Sequence, residues 1–352
     1  MRAVRWHGNR DVKVEDVELA LPLAPRTVEV AVEWCGICGS DIAEYAHGPF
    51  AIRPGHVHRL TGQEPPVTLG HEFAGVVTAV GSEVSQVAVG DRVSADACWR
   101  CERCEACLGG RYNQCAFSGS IGLASDGAMA SRVRFPEYCA VPLPAGVSSR
   151  AGALLEPLAV ALHALGRVNA QAGETVVVLG FGAIGACTAE VAAALGLSVL
   201  VSEPGAERRA RAESLGHATI DPVGTPREVA KAVRSRTGGG AQLVVDASGV
   251  PVALEAALDM TRRGGRVALV GLPKTSPPID AARMVLYERS LVASLGYAHD
   301  LPRVATLIAA GRVDPERLIT RSIGLEETPA ELERLATAPG GDIKVLIEVG
   351  EA

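Results

Sequence analysis

The feature that most constrains this chain is a strand, a glycine-rich turn and a helix in succession. Thr175–Leu179 has the composition of a buried β-strand, GFGAIG follows from Gly180, and an alanine-rich segment runs to Gly196. In such a unit the first glycine makes the turn, the second lets a pyrophosphate approach backbone N–H groups, and the third lets helix and strand pack closely. The pattern therefore predicts a dinucleotide-binding domain.

The next strand indicates which dinucleotide is bound. Ser198–Ser202 predicts that strand, and Glu203 follows it directly. A carboxylate at this point accepts hydrogen bonds from the adenosine ribose hydroxyls and repels a ribose phosphate, so we expect NAD rather than NADP. Arg208 and Arg209 lie close enough to weaken that preference. Further strands of the same parallel sheet are expected at Leu243–Asp246, Arg266–Val270 and Leu291–Leu295.

A cluster of cysteines predicts a structural zinc site. Cys101, Cys104, Cys107 and Cys115 have the spacing C-x2-C-x2-C-x7-C, which lets four thiolates converge tetrahedrally and leaves no open position. A register that uses Cys98 is also compatible with the spacing, and an iron–sulfur cluster is the alternative metal centre.

A second set of residues suggests a metal site with an open position. His71 and Glu72 are adjacent, and Cys38 lies earlier in the motif GICGSD. Neutral imidazole and thiolate are good zinc ligands, and a zinc with three protein ligands keeps a position for water or substrate. Glu156 precedes Pro157 in an apolar stretch, so its carboxylate needs a partner. That partner is either a metal or the N-terminus of a helix.

Size and composition bound the class of protein. At 352 residues the chain exceeds what one core usually serves, so two domains are expected. A net charge of -6 gives no reason to expect nucleic acid. The N-terminal segment lacks the apolar region of a secretory signal, and no apolar run is long enough to span a membrane. We therefore expect a cytoplasmic protein.

These motifs, in this order, resemble the zinc-containing medium-chain dehydrogenases, the alcohol and polyol dehydrogenase family. The loop GHVHRLTG from Gly55 and the run EPLAVA from Glu156 are most similar to the butanediol and sorbitol dehydrogenase-like members. The resemblance implies an α/β protein with a GroES-like, β-rich catalytic domain and a Rossmann domain. We expect the catalytic domain at residues 1–150 with a zinc lobe at about 98–115, the Rossmann domain at 151–295, and a return to the catalytic domain at 296–352.

The resemblance also implies roles for individual residues. Cys38, His71 and Glu156 would hold a catalytic zinc, with Glu72 as an alternating ligand or a carboxylate behind the ligands, and Ser40 would hydrogen-bond the substrate hydroxyl. Two zinc ions per chain are expected. Cys35 is expected to be a packing residue. The predicted cofactor contacts are Gly180, Gly182, Ala183, Ile184, Glu203, Arg208, Val270, Leu272 and Lys344.

The function implied is zinc-dependent hydride transfer between a secondary alcohol and NAD, the substrate being a vicinal diol, hydroxyketone or polyol. A threonine or amino-alcohol dehydrogenase is the alternative enzyme, and a non-catalytic NAD-binding zinc protein is the alternative from another class. One departure matters: many relatives carry a relay histidine where this chain has Ala43, so the proton must leave by another route. A homodimer or homotetramer is expected from the family.

Overall fold

The structure is a computed structural model, and it describes residues 1–19, 22–273 and 275–350. The chain forms two compact units. The first unit comprises Met1–Glu156, Leu301–Gly340 and Lys344–Ala352, and the second comprises Pro157–Asp300 and Gly341–Ile343. The boundaries expected from the sequence, after residues 150 and 295, lie a few residues earlier than those between the units.

Strands and helices are numbered in chain order. The strands are β1 (Arg2–Gly8), β2 (Asp11–Asp16), β3 (Thr27–Gly36), β4 (Val67–Thr68), β5 (Glu72–Val80), β6 (Arg92–Ala95), β7 (Cys98–Trp99), β8 (Gly119–Ser120), β9 (Arg132–Pro136), β10 (Ala140–Pro142), β11 (Thr175–Leu179), β12 (Ser198–Ser202), β13 (Ala218–Ile220), β14 (Ala241–Asp246), β15 (Thr261–Leu269), β16 (Ser290–Ala293), β17 (Ile319–Gly324) and β18 (Lys344–Glu348). The helices are α1 (Gly39–His47), α2 (Glu105–Leu108), α3 (Ser149–Gly152), α4 (Leu155–Arg167), α5 (Ala183–Ala194), α6 (Ala206–Ser214), α7 (Pro226–Arg236), α8 (Pro251–Met260), α9 (Ala281–Tyr287), α10 (Leu301–Ala309) and α11 (Thr328–Thr337).

The first unit is built on a mainly antiparallel sheet with the strand order β10-β6-β5-β3-β18-β17. The strand β9 also pairs with β3. Alternating apolar residues of β3 point into a core that includes Val30, Phe73 and Ile347, as expected where one face of a sheet is buried. The late strand β18 lies between β3 and β17, antiparallel to β3 and parallel to β17.

The second unit is a six-stranded parallel sheet with the order β13-β12-β11-β14-β15-β16. This is the order of doubly wound dinucleotide-binding folds, whose ligands bind where the strand order reverses, here between β11 and β14. The buried Val177 and Val244 of these strands belong to the core of this unit. The predicted fold class is confirmed.

Local sequence explains how the helix α7 begins. Thr225 caps α7 by accepting a hydrogen bond from the Glu228 backbone, and Pro226 occupies the first turn, a combination that satisfies exposed N–H groups at little conformational cost. Among the described residues, no helix combines the length and the apolar character needed to cross a lipid bilayer.

Candidate active site

The register of β3 with β5 brings Cys38 and His71 together. These strands pair antiparallel with Gly36 opposite Glu72, so residues that follow β3 adjoin residues that precede β5. One ligand atom each from Cys38, His71 and Glu72 lies within 4.8 Å of the others. Gly36 allows this approach, because a Cβ there would lie 2.3 Å from Oε2 of Glu72.

The start of α1 carries the residues that surround this cluster. Cys38 is the N-cap, and its backbone N–H donates to Oδ2 of Asp41 at 2.9 Å. Ser40 lies in the first turn, with Oγ 3.2 Å from Nε2 of His71. Asp41 was not among the predicted site residues, although an acid in a helix first turn is a recognisable signal. The short helix thus presents a thiol, a hydroxyl and a carboxylate to one imidazole.

The electrostatics around His71 favour a positive charge. Burial lowers the pKa of His71, but the charges of Asp41 and Cys38 more than compensate and raise it well above the usual value, with a further contribution from Glu156. Burial in turn raises the pKa of Asp41. A zinc ion would supply the positive charge that this anionic environment favours without protonating the imidazole.

Three buried polar atoms lie in or beside the cluster; Nδ1 of His71 and Oδ1 of Asp41 face each other, so Oε1 of Glu72 is the one that leaves bonding capacity for a metal. Nδ1 of His71, Oδ1 of Asp41 and Oε1 of Glu72 have no hydrogen-bond partner among the described residues. Buried polar atoms are normally paired, so such a concentration needs an explanation. Thiolate, imidazole and carboxylate suit zinc, and the residues present therefore fit the predicted catalytic zinc.

Glu72 is also half of a buried ion pair. Its Oε2 pairs with Nζ of Lys344, and both side chains are only 1% exposed. The same ammonium donates to the carbonyl oxygen of Ile37 at 3.1 Å. Lys344 was predicted to approach the cofactor phosphates; the structure places its charge beside Glu72, and the cofactor contact stays a prediction.

Glu156 lies near the cluster but outside the closest group. It is the second residue of α4 and half-buried, and its charge contributes to the raised pKa of His71. Within the described chain, the ligand group closer than 4.8 Å contains Cys38, His71 and Glu72 without Glu156. Its role as a zinc ligand remains a prediction.

Cys35 is fully buried, and burial raises the pKa of its thiol well above the usual value.

The four predicted lobe cysteines also converge. One sulfur from each of Cys101, Cys104, Cys107 and Cys115 lies within 4.8 Å of the others. Backbone N–H groups point at these sulfurs; for example, Cys101 N lies 3.4 Å from Sγ of Cys115. Backbone hydrogen bonding, chiefly from Cys107, lowers the pKa of Cys104 to about 6. Four converging sulfurs that accept backbone hydrogen bonds fit a closed tetrahedral zinc site.

Cys98 lies outside that group. Its Sγ approaches the carbonyl oxygens of Trp99 and Tyr112 at 3.8 and 3.9 Å, contacts that suit a protonated thiol. Burial raises its pKa to about 12. The geometry therefore favours the register that begins at Cys101.

The glycine turn of the second unit leads from β11 into α5. Gly180 has φ of +86°, a conformation that favours glycine. Gly182 is the N-cap of α5 and offers no side-chain cap, so N–H groups at the helix start remain available to a phosphate. Ala183 is the first helical residue, and Ile184, which follows it, is half-buried.

A cavity of about 510 Å³ opens beside this turn. Glu203, Arg208 and Ser248 line it together with Gly180 and Gly182. One oxygen of the Glu203 carboxylate accepts from the Phe181 N–H at 2.6 Å and the other from the Gly205 N–H at 2.7 Å. The cavity, the helix start and the carboxylate together fit a dinucleotide.

The remaining predicted cofactor contacts follow β15. Val270 donates its N–H to the carbonyl oxygen of Asp246 at 3.0 Å, and Leu272 is 90% exposed. Both residues lie at the carboxyl end of the parallel sheet, the end at which ligands bind in this fold. Their contact with a cofactor is still a prediction.

Comparison with known proteins identifies a protein family for each of two parts of the chain. Residues 24–145 match the family described as alcohol dehydrogenase GroES-like domain, and residues 183–310 match the zinc-binding dehydrogenase family. The (R,R)-butanediol dehydrogenase of Bacillus subtilis is 35% identical, over 99% of both chains. The solved structure of a 2R,3R-butanediol dehydrogenase from the same organism has a TM-score of 0.92 at 34% identity, with 99% of each chain covered.

Two further relatives bear on substrate and cofactor. The sorbitol dehydrogenase of Bacillus subtilis is 31% identical over 99% of this chain and 97% of its own length. A putative zinc-binding dehydrogenase from Sinorhizobium meliloti, solved bound to NADP, has a TM-score of 0.88 at 32% identity and covers 99% of each chain. On these matches, together with the two candidate metal sites and the glycine turn, this chain belongs to the zinc-binding alcohol dehydrogenase family with a GroES-like domain.

Proposed function

We propose that this protein oxidises secondary alcohols with NAD, and reduces the corresponding ketones, at a zinc site in the first unit. The observation that carries the proposal is the approach of Cys38, His71 and Glu72 to within 4.8 Å, with Ser40 beside the imidazole. A vicinal diol, a hydroxyketone or a polyol is the proposed substrate class. The butanediol and sorbitol dehydrogenases among the relatives support that choice.

Cys38, His71 and Glu72 would hold the catalytic zinc, and Glu156 is proposed as a further ligand. When bound, zinc acts as a Lewis acid that makes a hydroxyl group more acidic. Asp41 orients His71 from behind through its charge, since their nearest atoms are 3.6 Å apart, beyond hydrogen-bond range. The chain's contribution is to fix the positions and charges of these groups before substrate arrives.

Ser40 is the proposed first acceptor of the substrate proton. Its Oγ lies 3.2 Å from Nε2 of His71, so the hydroxyl is held at the edge of the ligand cluster. As the alcohol is oxidised to the ketone, its hydroxyl proton moves to Ser40, which passes its own hydroxyl proton on, and the carbinol hydrogen of the alcohol transfers as hydride to NAD⁺. Ala43 cannot carry the proton further, so the onward route uses water or hydroxyl groups of the bound substrate and cofactor.

We further propose a second zinc at Cys101, Cys104, Cys107 and Cys115, and NAD as the preferred cofactor. The carboxylate of Glu203 supports NAD because it lines the cavity where an adenosine ribose would lie and would repel a phosphate there. Arg208 lines the same cavity, and one relative binds NADP. Comparison of kcat/KM for the two cofactors, in the wild type and in Glu203→Ser, tests this preference.

We also propose a cytoplasmic homodimer or homotetramer. The strand β16 is the edge of the parallel sheet, and Val285 and Leu286 of the preceding helix α9 are 78% and 69% exposed. An unpaired strand edge beside apolar side chains favours association with another chain. Analytical ultracentrifugation of the wild type and of Leu286→Glu tests this part of the proposal.

The central test compares Cys38→Ser with the matched variant Cys35→Ser, three residues earlier. NADH absorbance is followed with butane-2,3-diol, sorbitol and threonine, and zinc is counted by mass spectrometry. We expect Cys38→Ser to lose one zinc and about a thousandfold in kcat/KM, and Cys35→Ser to keep both zinc ions. Undiminished alcohol oxidation by Cys38→Ser overturns the assignment.

The same assay separates the alternatives. Turnover of threonine with neither diol nor polyol would identify an amino-alcohol dehydrogenase. NAD binding without turnover of any alcohol, and a single zinc confined to the cysteine lobe, would identify a non-catalytic protein.

A further inference from the structure

Three strand ends of the second unit meet at Asp246. It is the last residue of β14, and it pairs with Leu179 at the end of β11 and with Leu269 at the end of β15. Its carbonyl oxygen accepts from the N–H groups of Val270 and Gly271 at 3.0 and 2.9 Å. The residue therefore lies at the point where the strand order reverses, beside the expected cofactor crevice.

The Asp246 side chain organises the turn that follows β14. Its Oδ1 accepts from both the backbone N–H and the hydroxyl of Ser248, at 2.9 and 2.6 Å. The Ser248 hydroxyl in turn accepts from the N–H of Val250 at 3.1 Å. One carboxylate oxygen thus fixes the turn from residue 247 to residue 250 through a single serine.

Burying the Asp246 carboxylate costs free energy that its hydrogen bonds to Ser248 alone do not obviously repay. Asp246 is 1% exposed, and its Oδ2 has no hydrogen-bond partner among the described residues. The ion pairs found in the described part of the chain include none that involves Asp246. A buried carboxylate without a cation is unfavourable, so what it does for the turn must offset that cost.

The turn forms one wall of the cavity beside the glycine turn. Ala247, Ser248 and Val250 line that cavity, whereas Asp246 does not. Ser248 also packs against Gly180, the first glycine of the turn between β11 and α5, since a Cβ at Gly180 would lie 3.1 Å from the Ser248 Cβ. Movement of Ser248 would therefore alter both the wall of the cavity and the space beside Gly180.

We propose that Asp246 is a positioning residue for the dinucleotide: acting through Ser248, it holds the 247–250 turn against Gly180 and so preforms the cofactor cleft. The inference rests on the proposed binding of NAD. A preformed wall lowers the ordering cost of binding. The effect is therefore expected in the affinity for the cofactor and not in kcat at saturating cofactor.

The test measures the dissociation constant of NADH by fluorescence on the full-length chain. The variants are Asp246→Ala, Ser248→Ala and the double variant. The matched control is Glu174→Gln, which removes a carboxylate paired with Arg266 just before β11, at the opposite end of that strand. We expect each single variant to raise the dissociation constant about tenfold. The control should change only the thermal midpoint.

A double-mutant cycle distinguishes positioning from general destabilisation. If Asp246 acts through Ser248, the double variant should bind NADH as weakly as Asp246→Ala alone, because the two residues form one unit. Wild-type affinity in Asp246→Ala, or effects that multiply in the double variant, would overturn the inference. If Asp246→Ala does not fold, Ser248→Ala provides the test. An NADH dissociation constant unchanged from the wild type in Ser248→Ala would overturn the inference. Failure of the wild type to bind NADH would instead overturn the proposed function.

Discussion

Oδ1 of Asp41 and Nδ1 of His71 face each other 3.6 Å apart inside the first unit. The other carboxylate oxygen is held by the backbone N–H of Cys38. One acid thus touches the loop that carries the thiol and faces the imidazole, so it relates the positions of two predicted metal ligands. Carboxylates placed behind a ligand histidine fix its orientation and raise its basicity.

Loss of this carboxylate should weaken the catalytic zinc site. We expect Asp41→Asn to lower zinc affinity at this site by about ten- to a hundredfold, while the cysteine lobe keeps its metal. Competition with a chelator, followed by zinc counting, measures the effect. Asp126→Asn is the control, since Asp126 is a partly exposed acid that pairs with Arg5. Equal zinc retention by both variants would remove Asp41 from the site.

The ion pair between Lys344 and Glu72 predicts a metal-dependent stability. Replacing Lys344 with Met leaves a buried carboxylate, which should destabilise the metal-free first unit by about 3–5 kcal/mol. Bound zinc should reduce that loss, because it offers Glu72 a positive partner. All three tryptophans lie in the first unit, so tryptophan fluorescence during urea unfolding reports on this unit.

Lys13→Met is the control for Lys344→Met, because Lys13 is 58% exposed and its removal should have little effect. The same variants test the predicted contact of Lys344 with the cofactor phosphates. If Lys344 serves the cofactor, Lys344→Met should raise the dissociation constant of NADH; if it serves Glu72 alone, that constant should stay unchanged.

Glu29 should make the stability of the first unit depend on pH. Burial raises the pKa of Glu29, but hydrogen bonds from Arg134 and Arg132 outweigh it, so the net pKa is lowered. The stabilisation that Glu29 gives the folded state is therefore fully present above its unfolded pKa of about 4.3. It is lost as the pH falls through the lower pKa of the folded state. The difference in unfolding free energy between wild type and Glu29→Gln should be constant near neutral pH and should shrink in acid. A difference that grows in acid would contradict the lowered pKa of Glu29.

The two cysteine registers predict different zinc counts. Cys107→Ser should lose the zinc of the lobe, because a four-thiolate site with three thiolates binds metal more weakly. Cys98→Ser should retain it, because Cys98 lies outside the sulfur group. Zinc per chain after dialysis measures the difference. Loss of metal from Cys98→Ser with retention in Cys107→Ser would establish the other register.

Local patterns sufficed for much of this molecule. The strand Thr175–Leu179 was predicted with the bounds it has in the structure, because an apolar run that ends in a glycine turn has few alternatives. The lobe cysteines converge because they lie close together in the chain. Both predictions depended on neighbours in sequence, where spacing constrains geometry.

Long-range partners were harder to predict. The pairing of Lys344 with Glu72 follows from the register of β18 with β3 and of β3 with β5, which no local pattern specifies. Asp41 was missed because an acid in a first helical turn looks the same whether it caps the helix or faces a histidine. Asp246 ended a predicted strand, but the hydrogen bonds to Ser248 depend on the turn conformation.

The position of β18 has a consequence for synthesis of the chain. The second unit can assemble its whole sheet once residues up to 293 have emerged from the ribosome. The first unit cannot, since β18 supplies both an interior strand and the cation that neutralises Glu72. The nascent chain should therefore complete the sheet of the second unit before that of the first, and Glu72 should gain its buried cation only after β18 has emerged.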